Sequence, residues 1–595
     1  MKKFSVLVYS SLACSAAFAL LNVVFRPDIS AAAFPLAAVF TAVLVYFTFG
    51  KLLRRSAVAK LGVIRKLYQY LPFVMLVSFV FRRAGETGTS HAFDVVSVVL
   101  WIALTALAIA VSYFLSDKRV FAFNPVWQAA KDSLPAPNPS KAKRVVREVF
   151  EWVDAFVQAA FTVALLNVFI IQLYEIPSES MVPEFLVRDR VVVLKTASGP
   201  RFPLSDVGIP RLRSYDRGDI VVFRNPHYAK DRQSEVKTFV AQLVYTLTFT
   251  GVNLNVDENG NLKADPLVKR VTGLPGEQLM MQDGVLYRRT AASAQFEAVQ
   301  TDARWAEWNL AALPAKLLAD IQSVPVTESQ YESMITCEAE RNALDFKAAR
   351  DETLSLSARF AALRTKLSGT DSVTAAPSLF SDSDMFEYLL FSRIDEITLR
   401  LLSVPGGAAW LDAFLTSWID DAPSSCFTDS PEPVGGDLYR DANYRLNLMI
   451  KRTFGRLAVR NAELIVSGVP AANWKFDAER ASYLSEAQML NSYIMLLDRR
   501  NMPVFPANAA DGSARYIPEG EYFMMGDNRF NSLDMRHSYD ETLVSLTPYD
   551  FYSVTYYSNM APQSVPAKDI LGTTVLRFWP GSRFGVPGVT GKSHE

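Results

Sequence analysis

The sequence predicts a multi-span α-helical membrane region followed by a mostly β domain that a large α-helical insertion interrupts. Three observations carry this. The chain up to Tyr174 is strongly apolar and poor in acidic residues. Short β-branched runs and Gly/Pro turns then dominate to about residue 290 and return past Tyr516. Between them, residues 291–515 place apolar side chains at three- and four-residue spacing, the period of helices with one buried face.

A bilayer core takes about 20 apolar helical residues. Phe4–Phe25, Ala31–Gly50, Leu67–Phe81, Phe93–Leu115 and Phe156–Tyr174 qualify as spans, the third being the shortest and alternatively interfacial. They predict a transmembrane region at 1–130, a cytoplasmic linker at 131–150 marked by Pro135, Pro137 and Pro139, and a last anchor at 151–174. Lysine and arginine concentrate in 51–66 and 116–150, whereas the other short loops hold only Arg26, Arg82 and Arg83. Cytoplasmic loops carry the basic excess, so everything after Tyr174 should lie outside. The basic start and apolar run near Cys14 resemble a signal peptide, but the run continues to Phe25, which favours an uncleaved anchor.

Beyond the anchor, 175–290 contains the predicted strands Arg190–Leu194, Ile220–Phe223 and Leu267–Val271, and the hairpin Leu279–Arg288 with its Asp283-Gly284 turn. In the insertion, Thr327 and Gln330 form a capping-box signature opening a helical run to about Leu367 that Gly369 stops. Ser381–Val404, Leu438–Val466 and Asp477–Arg500 follow with helical periodicity. The β domain resumes over 516–595, with strands at Tyr522–Met525 and Thr573–Phe578, so its sheet should be completed by distant segments.

Composition narrows the function classes. With 61 basic and 61 acidic residues the formal charge is zero, which argues against nucleic acid, since phosphate binding requires a basic surface. Three cysteines are too few for a disulfide scaffold or a Cys-rich metal site; Cys337 and Cys426 either pair or stay free. His91, His227, His537 and His594 show no metal-ligand spacing, so neither metal nor other cofactor is expected.

Four blocks carry chemistry. Ile176-Pro177-Ser178-Glu179-Ser180-Met181-Val182-Pro183 directly follows the last span. Arg217-Gly218-Asp219 leads into an apolar strand, and Val268-Lys269-Arg270-Val271-Thr272-Gly273 sets one lysine in another. Gly526-Asp527-Asn528-Arg529-Phe530-Asn531-Ser532-Leu533-Asp534-Met535-Arg536 is a dense polar run entered from a fourth. Any of these serines taken singly reads as a surface or capping residue; the set does not.

In these four blocks and in their order, the chain resembles the type I signal peptidase family of Ser–Lys proteases. The resemblance implies that Ser180 is the nucleophile and Lys269 the general base. It implies that Ser178 and the backbone N–H of Ser180 form an oxyanion hole, and that the Ser532 hydroxyl orients the lysine amine. Asp534 and Arg536 match a supporting polar pair, and Asp527, Asn528 and Arg529 fall in the same supporting run. The activity implied is removal of signal peptides from exported preproteins at the outer face of a bacterial inner membrane, with preproteins and the lipid bilayer as partners.

Elementary chemistry agrees with those roles. A serine hydroxyl is a weak nucleophile until a base takes its proton. A lysine, ordinarily protonated with a pKa of about 10.4, becomes such a base when burial disfavours the ammonium. Val268, Val271 and the Met524-Met525 strand are expected to supply that burial. His537 is the one rival base. The chain departs from the family pattern at Glu179, where glycine is common and where a carboxylate is expected to face solvent, and at Phe530, where an acid is usual. It also carries an extra segment between Arg536 and Val565. Phe239–Leu254 is apolar enough to suggest a span but separates Ser180 from Lys269; it is read either as a surface dipping into the bilayer or as a buried strand hairpin. The rival functions are a catalytically silent scaffold with this fold, a transporter and a self-cleaving regulatory protease. Spans lacking intramembrane charge disfavour the transporter.

Overall fold

The computed structural model describes residues 2–24, 33–53, 58–84, 91–123, 125–134, 140–202, 205–228, 232–248, 251–252, 254–256, 263–370, 373, 378–428 and 431–588. The N-terminal region is helical: Lys2–Val24, Ala33–Val45 continuing into a π-helical stretch Tyr46–Leu53, Leu61–Ala84 and His91–Phe114. Leu12, Leu44, Tyr68, Leu71, Trp101 and Leu104 share one apolar core among them. Among the described residues, His91–Phe114 and Lys141–Phe169 are long and apolar enough to cross a membrane; Val6–Phe18 and Val39–Lys51 are shorter apolar stretches.

The third helix is longer than the expected Leu67–Phe81, and its basic N-terminal flank packs against neighbouring helices. Arg65 donates to the Ser112 carbonyl at 3.1 Å, and Lys66 pairs with Asp154 at 2.7 Å. Tyr70 donates to the same carboxylate at 2.6 Å, and Phe73 stacks on Phe161. These contacts advance in the same direction along Leu61–Ala84 and Lys141–Phe169, so the two helices run parallel. The Lys141–Phe169 helix begins inside the stretch read as a linker, with an Arg147–Glu151 pair one turn apart at 2.9 Å. It ends at Phe169, because the following residues pair as a strand.

That strand, β1 (Ile171–Glu175), opens a seven-stranded antiparallel sheet with β2 (Arg190–Leu194), β3 (Ile220–Phe223), β4 (Leu267–Gly273), β9 (Glu521–Met525), β12 (Val565–Pro566) and β13 (Ile570–Trp579). Their order is β1-β2-β13-β3-β4-β9-β12. A second sheet, β7-β6-β5-β8, contains β5 (Glu277–Gln282), β6 (Val285–Thr290), β7 (Ser293–Ala298) and β8 (Met502–Phe505). Asp283 and Gly284 both adopt positive φ, 53° and 79°, in the β5–β6 turn, as the Asp-Gly pair requires. The segment after the insertion supplies β9 beside β4 and inserts β13 between β2 and β3. The β fold therefore depends on both halves of the chain.

The insertion packs around the helix Leu438–Val466, whose Leu446, Ile450, Phe454, Leu457 and Ala458 are fully buried. The run expected from Thr327 to Leu367 is two helices, Glu328–Asn342 and Phe346–Ser368, the second capped by Asp345. The Thr327–Gln330 capping box is formed, and Gly369 ends the second helix at positive φ. Gly407–Asp421, absent from the sequence reading, adds a further helix that buries Trp410, Phe414 and Trp418. The extra segment after Arg536 is a hairpin of β10 (His537–Ser545) and β11 (Thr555–Met560), and its Leu546, Val554 and Tyr556 join the insertion's core.

Within the stretch 239–254, the described residues 239–247 form helix rather than a strand hairpin. They lie in the helix Arg232–Leu247, which packs against Leu61–Ala84 and Lys141–Phe169 rather than inside the sheet. All three cysteines are free; Cys337 and Cys426 belong to separate apolar clusters and form no disulfide.

Candidate active site

Lys269 sits in β4 directly across from Val221, and side chains two apart on a strand share a face. Its apolar surroundings are therefore Val221, Val271 and Met524, all fully buried. Val268, expected among them, points to the opposite face and packs with Tyr174, Ile176, Met181 and Val222. Only 3% of Lys269 is exposed. Burial pulls its amine down to about 8, Arg536 pushes the same way, and the Asp534 and Asp527 carboxylates oppose them. Lys269 Nζ donates to Ser180 Oγ at 2.5 Å. The first and third sequence blocks thus meet at hydrogen-bond range.

Ser180 opens a helical turn, with Val182 N–H donating to the Glu179 carbonyl and Phe185 N–H to that of Met181. Ser178 is exposed, and its hydroxyl donates to Ser180 Oγ at 3.3 Å. The fourth block grips this turn from behind. The backbone N–H of Asn528 donates to the Ser180 carbonyl at 3.2 Å, and its side-chain amide to the Glu179 carbonyl at 3.1 Å. Gly526 is required by the same approach: a Cβ there would lie 2.4 Å from the Ser180 carbonyl oxygen and 2.2 Å from Ser532 Oγ.

Ser532 is buried at this crowded point, and its Oγ has no hydrogen-bond partner among the described residues. The expected bond to Lys269 is not formed in this arrangement. Asp534 and Arg536 are fully buried and joined by two bonds of 2.8 and 3.0 Å, and Asp534 also accepts from the Gly526 N–H at 3.0 Å. Burial alone would raise the Asp534 carboxyl, but the Arg536 charge and these bonds hold it well below the usual carboxylate range. Arg536 further donates to the carbonyls of Arg499 and Arg529. This pair braces the loop without touching Ser180. Asp527 takes a bidentate bond from Arg270, at 2.8 and 2.6 Å, and Arg529 bonds to Asp302 at 2.6 Å. Arg217 clamps Glu277 with bonds of 2.6 and 2.5 Å, tying the second block to the turn after Lys269.

His537 is excluded as a base. Burial first, then the Arg536 charge, depresses it to about 3, and its ring bonds to Asn559 rather than to Ser180.

Two departures from the family pattern acquire physical reasons. Phe530 is 6% exposed and stands edge-on to Trp308 inside the insertion's core, where an acid would be buried without a partner. Glu179 does not face solvent. Its carboxylate is buried and accepts from the backbone N–H groups of Gln322 and Ser323, the latter at 3.1 Å.

Several participants were missed from sequence. Arg270 was visible beside Lys269, but its buried partners, Asp527 and Glu184, lie far along the chain. Asp302, Trp305, Glu307, Gln322 and Ser323 fall within the stretch read as insertion, yet they hold the residues around the site: Arg529, Arg270, Asn528 and Glu179. Glu307 forms a parallel bridge with Asn528, and Trp305 lies against Arg270, 4.9 Å from its guanidinium. No local signal marks these five.

The family model for signal peptidase, peptidase S26, matches residues 149–331 and 447–579, more than half of the chain and all four blocks. The chain belongs to this family. The unmatched residues 332–446 are the middle of the helical insertion. Similar proteins include Signal peptidase I of Pseudomonas aeruginosa, 29% identical over 186 residues, covering 30% of this chain and 64% of that protein. Signal peptidase I of Pseudomonas fluorescens is 30% identical over 129 residues, 21% of this chain and 45% of that protein. That of Buchnera aphidicola subsp. Schizaphis graminum is 38% identical over 66 residues, 11% of this chain and 21% of that protein. The matches thus span less than two thirds of these relatives' lengths.

Proposed function

We propose that the protein is a membrane-bound signal peptidase I, a serine endopeptidase that removes signal peptides from exported preproteins through a Ser180–Lys269 dyad. The observation that carries this is a lysine amine, buried and pulled to about 8, donating to a serine hydroxyl at 2.5 Å. Neutral Lys269 takes the Ser180 proton as Oγ attacks the scissile carbonyl. Ser178 Oγ–H and the Ser180 N–H hold the resulting oxyanion. The Lys269 ammonium then protonates the leaving amine, producing an acyl-enzyme on Ser180. Lys269 next activates a water that releases the signal peptide's new carboxylate. Ser532 supplies a buried hydroxyl within the same pocket; an unpartnered buried hydroxyl is costly, which favours its turning to the amine as Lys269 gains and loses its proton.

The membrane reading is supported by two helices of spanning length and by the basic excess of 51–66 and 116–150, which is expected on the cytoplasmic side. The catalytic domain then faces the periplasmic side of a bacterial inner membrane in a multi-pass protein. The packing of the helix Arg232–Leu247 on Leu61–Ala84 and Lys141–Phe169 supports a bilayer-facing surface formed from Phe239 onward, where a signal peptide's apolar segment would end. The test is cleavage of a preprotein by purified wild type and Ser180→Ala side by side. Wild type should release the mature protein and Ser180→Ala should not; equal cleavage by both would refute the assignment.

A further inference from the structure

Glu179 lies between the two serines assigned to the nucleophile and the oxyanion hole. A free carboxylate there would repel the negative charge that develops on the substrate carbonyl. It would also favour the ammonium form of Lys269. The structure answers both problems with a loop from outside the sheet. Two consecutive backbone N–H groups, of Gln322 and Ser323, bind the Glu179 carboxylate. The segment leading to them is itself packed on the nucleophile's turn: Leu310 shares a buried cluster with Val182 and Leu186, and Leu313, Leu317 and Ile321 pack against it. Upstream, Glu307 N–H donates to the Asp527 carbonyl at 2.8 Å, and Arg529 N–H to the Glu307 carbonyl at 3.2 Å.

We infer that the segment Asp302–Ser323, which leads into the helical insertion, is a built-in wall of the catalytic site, and that the Gln322 and Ser323 amides hold the Glu179 carboxylate and partly screen its charge. This rests on the Ser180–Lys269 reading and deepens it. The segment that leads into the helical insertion thereby becomes coupled to the reaction. Whatever displaces this segment unmasks a carboxylate beside the oxyanion and slows cleavage, without altering any group that touches substrate.

The test is a double-mutant cycle on the full-length protein in detergent, with a preprotein substrate. Ser323→Pro deletes one amide donor. In the wild-type background it should lower kcat about tenfold, the effect of a partly exposed charge within several ångströms. KM should change little, and the alkaline-rising limb of the pH–rate profile should move to higher pH. In the Glu179→Gln background, where there is no charge to unmask, the same Pro substitution should change kcat less than twofold and leave the profile in place. Gln322→Pro is the parallel probe. If neither proline variant folds, Ile321→Ser, which loosens the loop from Val182 and Leu186, should reproduce the profile shift only when Glu179 is present. Equal effects in both backgrounds, or a change in melting temperature alone, would overturn the inference. Ser180→Ala separates the two claims: cleavage surviving in it sinks the dyad, whereas its loss together with absent coupling sinks the role of Glu179 alone.

Discussion

Replacing Lys269 with methionine should abolish cleavage and yet stabilise the fold at neutral pH. Burial holds the Lys269 amine at about 8, against 10.5 for an unhindered lysine. Each unit of that depression is about 1.4 kcal/mol, so charging the amine in the folded protein costs about 3 kcal/mol more than in the unfolded chain. Its folded value is depressed, so the unfolded state binds more protons between about 8 and 10.5. Wild-type stability therefore carries the full penalty below about 8 and regains it as pH rises toward 10.5. Methionine removes the penalty and keeps most of the side chain's volume, but loses the bond to Ser180, worth about 1 kcal/mol. The net expectation is a variant about 2 kcal/mol more stable at pH 7, an advantage that disappears toward pH 10.5. Urea melts followed by tryptophan fluorescence across this range measure it. The same ionisation governs catalysis: wild-type kcat/KM should rise tenfold per pH unit below about 8 and level off above it. A methionine variant no more stable than wild type at pH 7, or a wild-type profile flat between pH 6 and 9, would refute the account of a desolvated amine.

Other outcomes follow from the same geometry. Ser178→Ala should lower kcat by about 10²–10³-fold with KM little changed in steady-state assays, as loss of one oxyanion donor does; a loss under threefold would remove Ser178 from that role. Phe530→Asp should destabilise the protein by about 3–5 kcal/mol in thermal or urea melts, because it opens a cavity beside Trp308 and buries an unpaired carboxylate. Because Cys337 and Cys426 are free in separate cores, the melting temperature should be the same with and without reductant; a drop on reduction would contradict this arrangement.

What the sequence revealed and what it hid divide by distance along the chain. The strands Arg190–Leu194, Ile220–Phe223 and Tyr522–Met525, the Asp283-Gly284 turn, the Thr327–Gln330 cap and the bounds of Leu438–Val466 rest on local chemistry and were legible from a few residues, whereas Ile171–Glu175, read as the end of the last span, and Ser293–Ala298 and Met502–Phe505, inside the stretch read as helical, were not. Breaks such as Ala343–Asp345 were not: neither glycine nor proline marks them, and only Asp345, a capping residue, hints at a new start. Family resemblance identified the pairing of Ser180 with Lys269, which no local pattern determines. The surroundings of that pair were harder still. The face toward which Val268 points depends on strand register. The placement of Glu179 depends on amides from Gln322 and Ser323, and the acceptability of Phe530 on Trp308, partners that periodicity alone does not connect to the site. The Arg232–Leu247 helix read ambiguously because an apolar run carries no sign of which neighbours will cover it.

The central claim is that Ser180 Oγ, activated by Lys269, attacks the substrate. Acid quenching of enzyme mixed with a preprotein, followed by mass spectrometry of the peptide containing Ser180, tests it most directly. Wild type should carry the signal peptide's acyl group on Ser180, and neither Ser180→Ala nor Lys269→Ala should carry any. An adduct on another residue, or turnover by Lys269→Ala at the wild-type rate, would contradict it.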